Sequence, residues 1–120
     1  MRMRPRQRYL AVRLHADGAL PSESNFRNAI WHQLQELYGE FGVSRIGFWL
    51  VAYHPQECCA ILRCQHDEVR SLRAALATVT QIASTSLIIE VIGISGTLRK
   101  VVTLLPEIDP SMVIRSRKHR

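Results

Sequence analysis

Two different hydrophobic periods follow each other near the start of the chain. Residues 8–14 alternate, with apolar side chains on one side of an extended chain at Leu10, Val12 and Leu14. This period of two predicts a half-buried β-strand. The period then lengthens to three and four residues, at Phe26, Ile30, Leu34 and Leu37. It predicts an amphipathic helix that Ser22 or Ser24 caps and that Gly39, together with Gly42, ends.

Residues 43–53 are apolar on both alternating faces. Such a strand is either central in a sheet or covered on its second face, so we expect it to be largely buried. The His-Pro-Gln-Glu sequence at residues 54–57 is typical of a turn. Because residues 58–64 again favour a strand, the two strands are predicted to pair as a hairpin.

A second helix is predicted over residues 67–83, with Asp67 at its N-cap. Its apolar side consists of Val69, Leu72, Leu76, Val79 and Ala83. A β-branched strand follows at residues 87–94. We expect a third, short helix over residues 98–105 and an irregular segment from Pro106 onward, because proline interrupts a helix.

The predicted order is therefore strand, helix, strand, strand, helix, strand. This order is typical of an α+β fold, the split βαβ sandwich that is also called ferredoxin-like or RRM-like. It has a four-stranded antiparallel sheet with both helices on one face, and we expect the other face to be open to water or to a partner. The expected organisation is a basic arm at 1–8, one domain at 9–105 and a basic tail at 106–120.

Composition limits the class of protein. A chain of 120 residues with 47% hydrophobic and 22% charged residues has room for one buried core. No run of 18 apolar residues occurs, and the N-terminus has no secretory signal pattern. We therefore expect a cytoplasmic protein with no membrane partner.

The positive charge lies at the two ends of the chain. The first eight residues contain four arginines and no acidic residue. The last ten contain no acidic residue either, and four cations at Arg115, Arg117, Lys118 and Arg120. The middle is nearly neutral, so the net charge of +6 comes from the two ends. Arginine-rich arms on a neutral domain favour a polyanionic partner such as RNA or DNA, and solubilising tails are the alternative.

Motifs for catalysis are missing, and metal ligands are poorly spaced. Cys58 and Cys64 are too far apart along one strand to share a zinc ion with His66, so we interpret the cysteines as small buried thiols in a reducing compartment. The pair His32 and Glu36 is typical of a solvated helix face. Paired carboxylates, catalytic triads and a phosphate-binding P-loop are also absent from the sequence.

The segment from Gly93 to Lys100 is the best local candidate for a binding site. A strand leads into a glycine-containing turn and a helix start, and this region supplies Ser95, Gly96, Thr97, Arg99 and Lys100. Free N–H groups at such a helix start, with two cations one turn on, suit a phosphate. An ordinary capped helix explains the same residues equally well.

Aromatic residues argue against one common way of binding RNA. RNA-recognition folds of this topology stack bases on aromatic residues of their two central strands. Here Tyr9 is the only aromatic residue in those strands. The neighbouring strand offers Phe48, Trp49 and Tyr53, which we predict to contact a partner protein.

Four segments resemble one family when they are taken together in order. They are RYLAVRL, AIWHQLQELYGEFGVS, AILRCQHDEVRSLRAALATVT and VIGISGTLRK. They resemble archaeal ribonuclease P protein component 2, a family shared with a subunit of eukaryotic ribonuclease P and of the mitochondrial-RNA-processing ribonuclease. The resemblance covers about residues 1–100, and its most specific parts are the L-R-C and G-x-S-G-T motifs.

This resemblance implies an RNA-binding subunit of ribonuclease P, the endoribonuclease that removes the 5′ leader from precursor tRNA. The RNA performs this hydrolysis with bound Mg²⁺, so the chain itself is expected to be non-catalytic and to bind no cofactor. The implied partners are the ribonuclease P RNA, precursor tRNA indirectly, a barrel-shaped protein subunit in a heterotetramer, and other ribonuclease P proteins.

The RNA contacts that the resemblance and the charge pattern imply lie in three groups. They are Arg2, Arg4, Arg6 and Arg8; Ser95, Gly96, Thr97, Arg99 and Lys100; and Arg115, Arg117 and Lys118. The chain departs from the family after Lys100, where VVTLLPEIDPSMVI replaces a basic helix and predicts apolar docking on this domain or on a partner. A small-molecule-sensing regulatory domain and a cysteine-based metal or redox protein remain alternatives.

Overall fold

The computed structural model describes residues 6–111 and 113. The strands are β1 Gln7–Ala16, β2 Trp49–His54, β3 Cys59–Gln65, β4 Gln81–Ile82 and β5 Thr85–Ser95. The helices are α1 Glu23–Ile46, α2 Val69–Thr78 and α3 Leu98–Val102. All strand pairs are antiparallel in one five-stranded sheet of order β2-β3-β1-β5-β4.

This topology confirms the predicted split βαβ class and adds a fifth strand. The two-residue strand β4 forms a small hairpin with the start of β5, where Gln81 pairs with Ser86. β1 and β3 are the central strands, as the sequence predicts. No helix within residues 6–111 has the length and hydrophobicity needed to cross a membrane.

The prediction that the first helix ends at Gly39 is wrong, as is the strand start at residue 43. Gly39 does leave the helical conformation, at φ 72° and ψ −178°, but the chain resumes its helical path and ends α1 only at Gly47, with φ 62° and ψ 44°. Val43 and Ile46, three residues apart, therefore face the core from a helix. Residues 43–53 therefore combine the helical spacing at the end of α1 with a strand, and only residues 49–53 belong to β2.

The second helix is shorter than predicted. It begins at Val69 after a 3₁₀ turn, its N-cap is Glu68 and not Asp67, and it ends at Thr78. The Thr78 hydroxyl donates to the Ala75 carbonyl at 2.7 Å, and the following Val79 is extended. A threonine that bonds back into the last turn favours a helix end, so Ala83 lies in the β4–β5 turn.

The main core lies between the sheet and helices α1 and α2. Alternate residues of β1, Leu10, Val12 and Leu14, face Phe26, Ile30 and Leu34 of α1 and Leu72 and Leu76 of α2.

The N-cap of α1 is Ser22, one of the two serines predicted for this position; its Oγ accepts from the Asn25 N–H at 3.2 Å. Leu37, predicted on the apolar side, is exposed instead, because Tyr38 turns inward and donates to the Ser71 carbonyl at 2.9 Å.

A second core covers the face of the sheet that we expected to be open. It joins Tyr9, Ala11, Cys59 and Ile61 of the sheet to Leu98, Val101, Val102, Leu105, Ile108 and Val113. The open-face prediction is therefore wrong over the centre of the sheet. The apolar residues that follow Lys100 dock on the chain's own domain, and this docking extends past Leu105 to Ile108 and Val113.

Candidate nucleic-acid interface

Antiparallel pairing brings Arg8, at the start of β1, to the turn that follows β5. Tyr9 of β1 pairs with Ser95 of β5, so Arg8 lies beside the Ser95–Gly96 turn. The position that a Cβ would take on Gly96 lies 3.5 Å from Nη1 of Arg8. Two segments almost 90 residues apart in sequence therefore meet where β1 begins and β5 ends. This end of the strands, with Arg6, Arg8, Arg99 and Lys100, is called the basic edge.

The turn is held by its own hydroxyl groups. The Thr97 N–H donates to Ser95 Oγ at 3.2 Å, and Thr97 Oγ1 accepts from the Lys100 N–H at 3.2 Å. Two of the N–H groups that were predicted to be free for a phosphate are thus occupied, and α3 has only five residues. The anion-binding capacity of this turn lies in the exposed side chains of Arg99 and Lys100.

Unpaired cations are concentrated at this edge. Three arginines of the described chain are paired with carboxylates: Arg13 with Glu107, Arg27 with Glu23 and Arg45 with Glu68. Within residues 6–111, the cations that form no salt bridge are Arg6, Arg8, Arg63, Arg70, Arg73, Arg99 and Lys100. Arg70 and Arg73 lie on α2, behind the sheet. Of the other five, Arg8 and Arg63 lie on the sheet, Arg6 directly precedes β1, and Arg99 and Lys100 lie on α3.

The Arg13–Glu107 pair fixes the covering segment to β1. Arg13 donates through Nε and Nη2 to the two carboxylate oxygens of Glu107, at 3.0 and 3.1 Å. This bidentate hydrogen bonding raises the pKa of Arg13 and lowers the pKa of Glu107. Arg13 is therefore occupied inside the molecule and is not part of the basic edge.

The structure brings together about half of the predicted RNA contacts. Arg6, Arg8, Ser95, Gly96, Thr97, Arg99 and Lys100 lie at one edge. Arg2, Arg4, Arg115, Arg117 and Lys118 lie outside the described residues. The contact of each of these residues with RNA stays a prediction.

The predicted partner-contact residues do not share one surface. Phe48 is only 3% exposed and forms an edge-to-face contact with Trp31, their ring centroids 5.4 Å apart. Tyr53 stacks on Phe26 at 4.7 Å and donates its hydroxyl to the Pro21 carbonyl; burial raises the pKa of this hydroxyl. Phe48 is therefore buried in the core on the helix side, whereas Tyr53 is half-buried against it; contact of Tyr53 and Trp49 with a partner protein stays a prediction. Trp49 is exposed.

Sequence reasoning missed Arg63, which extends the basic edge across the sheet. Arg63 pairs with Tyr9 on one side and with Trp49 on the other, and its guanidinium lies 6.0 Å from the centroid of the Trp49 ring. Cross-strand pairing thus aligns Trp49, Arg63, Tyr9 and Ser95 in one row. The only sequence signal was the arginine in the L-R-C motif, and nothing local connected it to Trp49.

The cysteines do not share a strand face. Cys58 is exposed in a left-handed turn before β3, at φ 56°, whereas Cys59 and Cys64 are buried on opposite faces of that strand. Burial raises the pKa of Cys59 to about 11 and of Cys64 to about 12. Among the described residues, no three His, Cys, Asp or Glu side chains are grouped as metal ligands.

Comparison with known proteins gives the family. The sequence profile of the Rpp14/Pop5 family matches residues 8–104. Ribonuclease P protein component 2 of Pyrococcus horikoshii is 32% identical over 98 residues, which are 82% of this chain and 81% of that protein. The protein of the same name from Methanocaldococcus jannaschii is 35% identical over 98 residues, 82% of this chain and 71% of the relative.

A solved structure shares the fold. A chain in the cryo-EM structure of yeast ribonuclease MRP superimposes with a TM-score of 0.68, covers 98% of this chain and 91% of its own length, and is 16% identical. The fold and its edge of unpaired cations define a small basic α+β domain of the split βαβ class. The chain belongs to the Rpp14/Pop5 family, and the relatives named above are subunits of ribonuclease P.

Proposed function

We propose that this protein is an RNA-binding subunit of ribonuclease P that supports removal of the 5′ leader from precursor tRNA. The observation that carries the proposal is the edge formed by Arg6, Arg8, Arg99 and Lys100, none of which has an acidic partner within residues 6–111. Cations without internal partners are available to neutralise phosphates. Membership of a ribonuclease P family makes RNA the expected polyanion.

The same proposal assigns cleavage, and the Mg²⁺ that it needs, to the RNA component. The carboxylates Glu23, Glu68 and Glu107 each accept a hydrogen bond from an arginine, so they are engaged within the protein. The chain acts by holding RNA in its active conformation.

The proposal also includes protein partners: a barrel-shaped ribonuclease P subunit, in a heterotetramer, and other proteins of the assembly. Supporting it, α1 exposes Leu37 and Phe41 next to the Gly39 kink, and Phe41 is 90% exposed. β5 exposes Ile88 in the same way. Large exposed apolar side chains are typical of protein-binding surfaces.

The experiment is the salt dependence of RNA binding. We expect a variant with Arg8→Ala, Arg99→Ala and Lys100→Ala to bind ribonuclease P RNA more weakly and with a flatter dependence on salt. If each residue contacts one phosphate, the slope of log K against log salt falls by roughly 0.7–0.9 for each residue replaced. Replacement of Arg2, Arg4, Arg6 and Arg8 by alanine tests the whole arm in the same way.

The matched control is the pair Arg70→Ala and Arg73→Ala. These exposed cations also form no salt bridge in the described chain, but they lie on α2, which packs on the helix side of the sheet, opposite α3. The control variant should keep the wild-type slope. An unchanged slope in the edge variant, or an equal loss of slope in the control, contradicts the assignment of the RNA to this edge.

A further inference from the structure

A groove lies between the N-terminal half of α1 and the edge strand β2. Its volume is about 430 Å³, and its walls are Glu23, Arg27, Trp31, Trp49, Leu50 and Val51. β2 is the outermost strand on this side of the sheet and pairs only with β3. The groove is therefore at the surface, and its lining is largely aromatic and aliphatic.

The two charges in the groove compensate each other. Arg27 Nη2 lies 2.9 Å from Glu23 Oε2, one helical turn away. An apolar groove with no net charge does not favour a phosphate, whose own charge would meet the Glu23 carboxylate. The groove suits a flat uncharged ring with polar groups at its rim, because the Arg27 guanidinium donates hydrogen bonds and the Glu23 carboxylate accepts them.

Trp49 connects this groove to the basic edge. The Trp49 side chain is 41% exposed, lines the groove, and lies beside the Arg63 guanidinium. Nε of Arg63 is buried and has no hydrogen-bond partner in the described part of the chain. Tyr9, the next residue of the row, is buried beneath α3 and the segment after it, so the part of the row open to a ligand here is Trp49 with the neighbouring Arg63, one strand spacing apart, roughly 5 Å. This spacing suits one base and the phosphate next to it.

We propose that the groove takes an unpaired base of the bound RNA, stacked on Trp49, while Arg63 contacts the phosphate next to it. This inference rests on the proposed function and specifies the form of RNA that the sheet accepts: a single-stranded segment rather than a duplex. An exposed indole beside a cation binds bases of any sequence, because every base has a π-face. The neutral groove takes the base and the cationic edge takes the backbone.

The test uses fluorescence of the full chain. The protein has two tryptophans, so Trp31→Phe leaves Trp49 as the single indole. A ten-nucleotide uridine oligomer should quench Trp49 fluorescence, and an RNA duplex of equal length should not. Trp49→Ala should weaken binding of the oligomer by about five- to 150-fold, the range measured for loss of one stacked base. Because no charge is removed, the salt slope should stay that of the wild type.

Two further variants complete the design. Trp49→Phe retains an aromatic face and should keep most of the affinity. Phe41→Ala removes an even more exposed aromatic residue on the distal part of α1, and it should leave RNA affinity unchanged.

Separate outcomes distinguish the two proposals. If the wild type binds the oligomer with the expected salt slope, but Trp49 is not quenched and Trp49→Ala changes affinity less than twofold, stacking is contradicted and the proposed function stands. If Trp49→Ala instead abolishes binding of a partner protein and leaves RNA affinity unchanged, the groove is a protein contact and the inference is overturned. If the wild type binds no RNA, the proposed function itself is contradicted.

Discussion

Cys59 and Cys64 are buried on the two faces of β3, in the two separate cores. Both thiols stay protonated in the folded protein well above pH 9, because burial raises the pKa to about 11 for Cys59 and about 12 for Cys64. In the unfolded chain the pKa of each returns to about 9.0. Each thiol therefore stabilises the fold below pH 9 and loses this contribution as the pH rises toward its folded-state pKa.

We accordingly expect the free energy of unfolding to fall between pH 9 and pH 11, by at most about 1.4 kcal/mol per pH unit for each thiol. Urea unfolding at a series of pH values measures this slope. Cys64→Ala should make the fall shallower than in the wild type, whatever its effect at pH 7. Cys58→Ala serves as the control, because it removes an exposed thiol and leaves both buried ones in place. Equal slopes for wild type and Cys64→Ala would contradict this account.

Individual residues show how far sequence patterns reach. The period of the β1 residues Leu10, Val12 and Leu14 predicts their burial correctly. Gly39 correctly predicts a break in the helical backbone but not that α1 continues beyond it, since the conformation of one residue does not determine that of its successors. Phe48 looks like a surface aromatic only if residues 43–53 form one strand, but it directly follows the Gly47 C-cap of α1 and is buried. Tyr53 does lie in β2, and the register shift between Leu50 and Ala52 accompanies its turn toward Phe26 on the helix side, where it is half-buried.

The largest difference from the predicted fold is α3 with the segment after it, which covers the sheet face that was predicted to be open. Leu105 is fully buried against the sheet, whereas its neighbour Leu104 is 38% exposed. Leu105→Ala should lower the free energy of unfolding by about 2–4 kcal/mol, because it removes buried side-chain atoms and leaves a cavity.

Leu104→Ala is the matched control, one residue away; its side chain lies over Gly93 but is 38% exposed, so its loss should cost less than that of Leu105. Urea denaturation at pH 7 measures both changes. If Leu105→Ala costs no more than Leu104→Ala, the segment is not packed on the sheet as described. The outer face would then be open, as the sequence pattern alone predicts.

The order of elements was predictable, but this cover was not. The strands and helices carry clear periods of two or of three and four residues. The residues of the cover (Leu98, Val101, Val102, Leu105, Ile108 and Val113) keep helical spacing as far as Ile108, so their pattern indicates apolar docking but not its location. The location depends on the small residues Ala11 and Gly93 of the sheet, and a Cβ on Gly93 would collide with the Leu104 side chain. Long-range fit of this kind is not encoded in local spacing.

In the whole molecule, the candidate interface is partly predictable. The charge pattern marks the arm and the turn after β5 separately. The fold class then predicts that they meet, because the first and last strands of a split βαβ sheet are neighbours. Arg63 and Trp49 were not predictable as a pair, since their contact depends on the register between β2 and β3.

The assay that addresses the central claim most directly is precursor-tRNA cleavage by the native assembly. A tagged copy of the chain, recovered from its native host, should carry an activity that removes the 5′ leader. Treatment of half the sample with micrococcal nuclease should abolish this activity, because we place the chemistry on the RNA. Cleavage that survives the nuclease would contradict the non-catalytic role of the protein. A soluble, intact bait that recovers no cleavage activity would contradict the assignment to ribonuclease P.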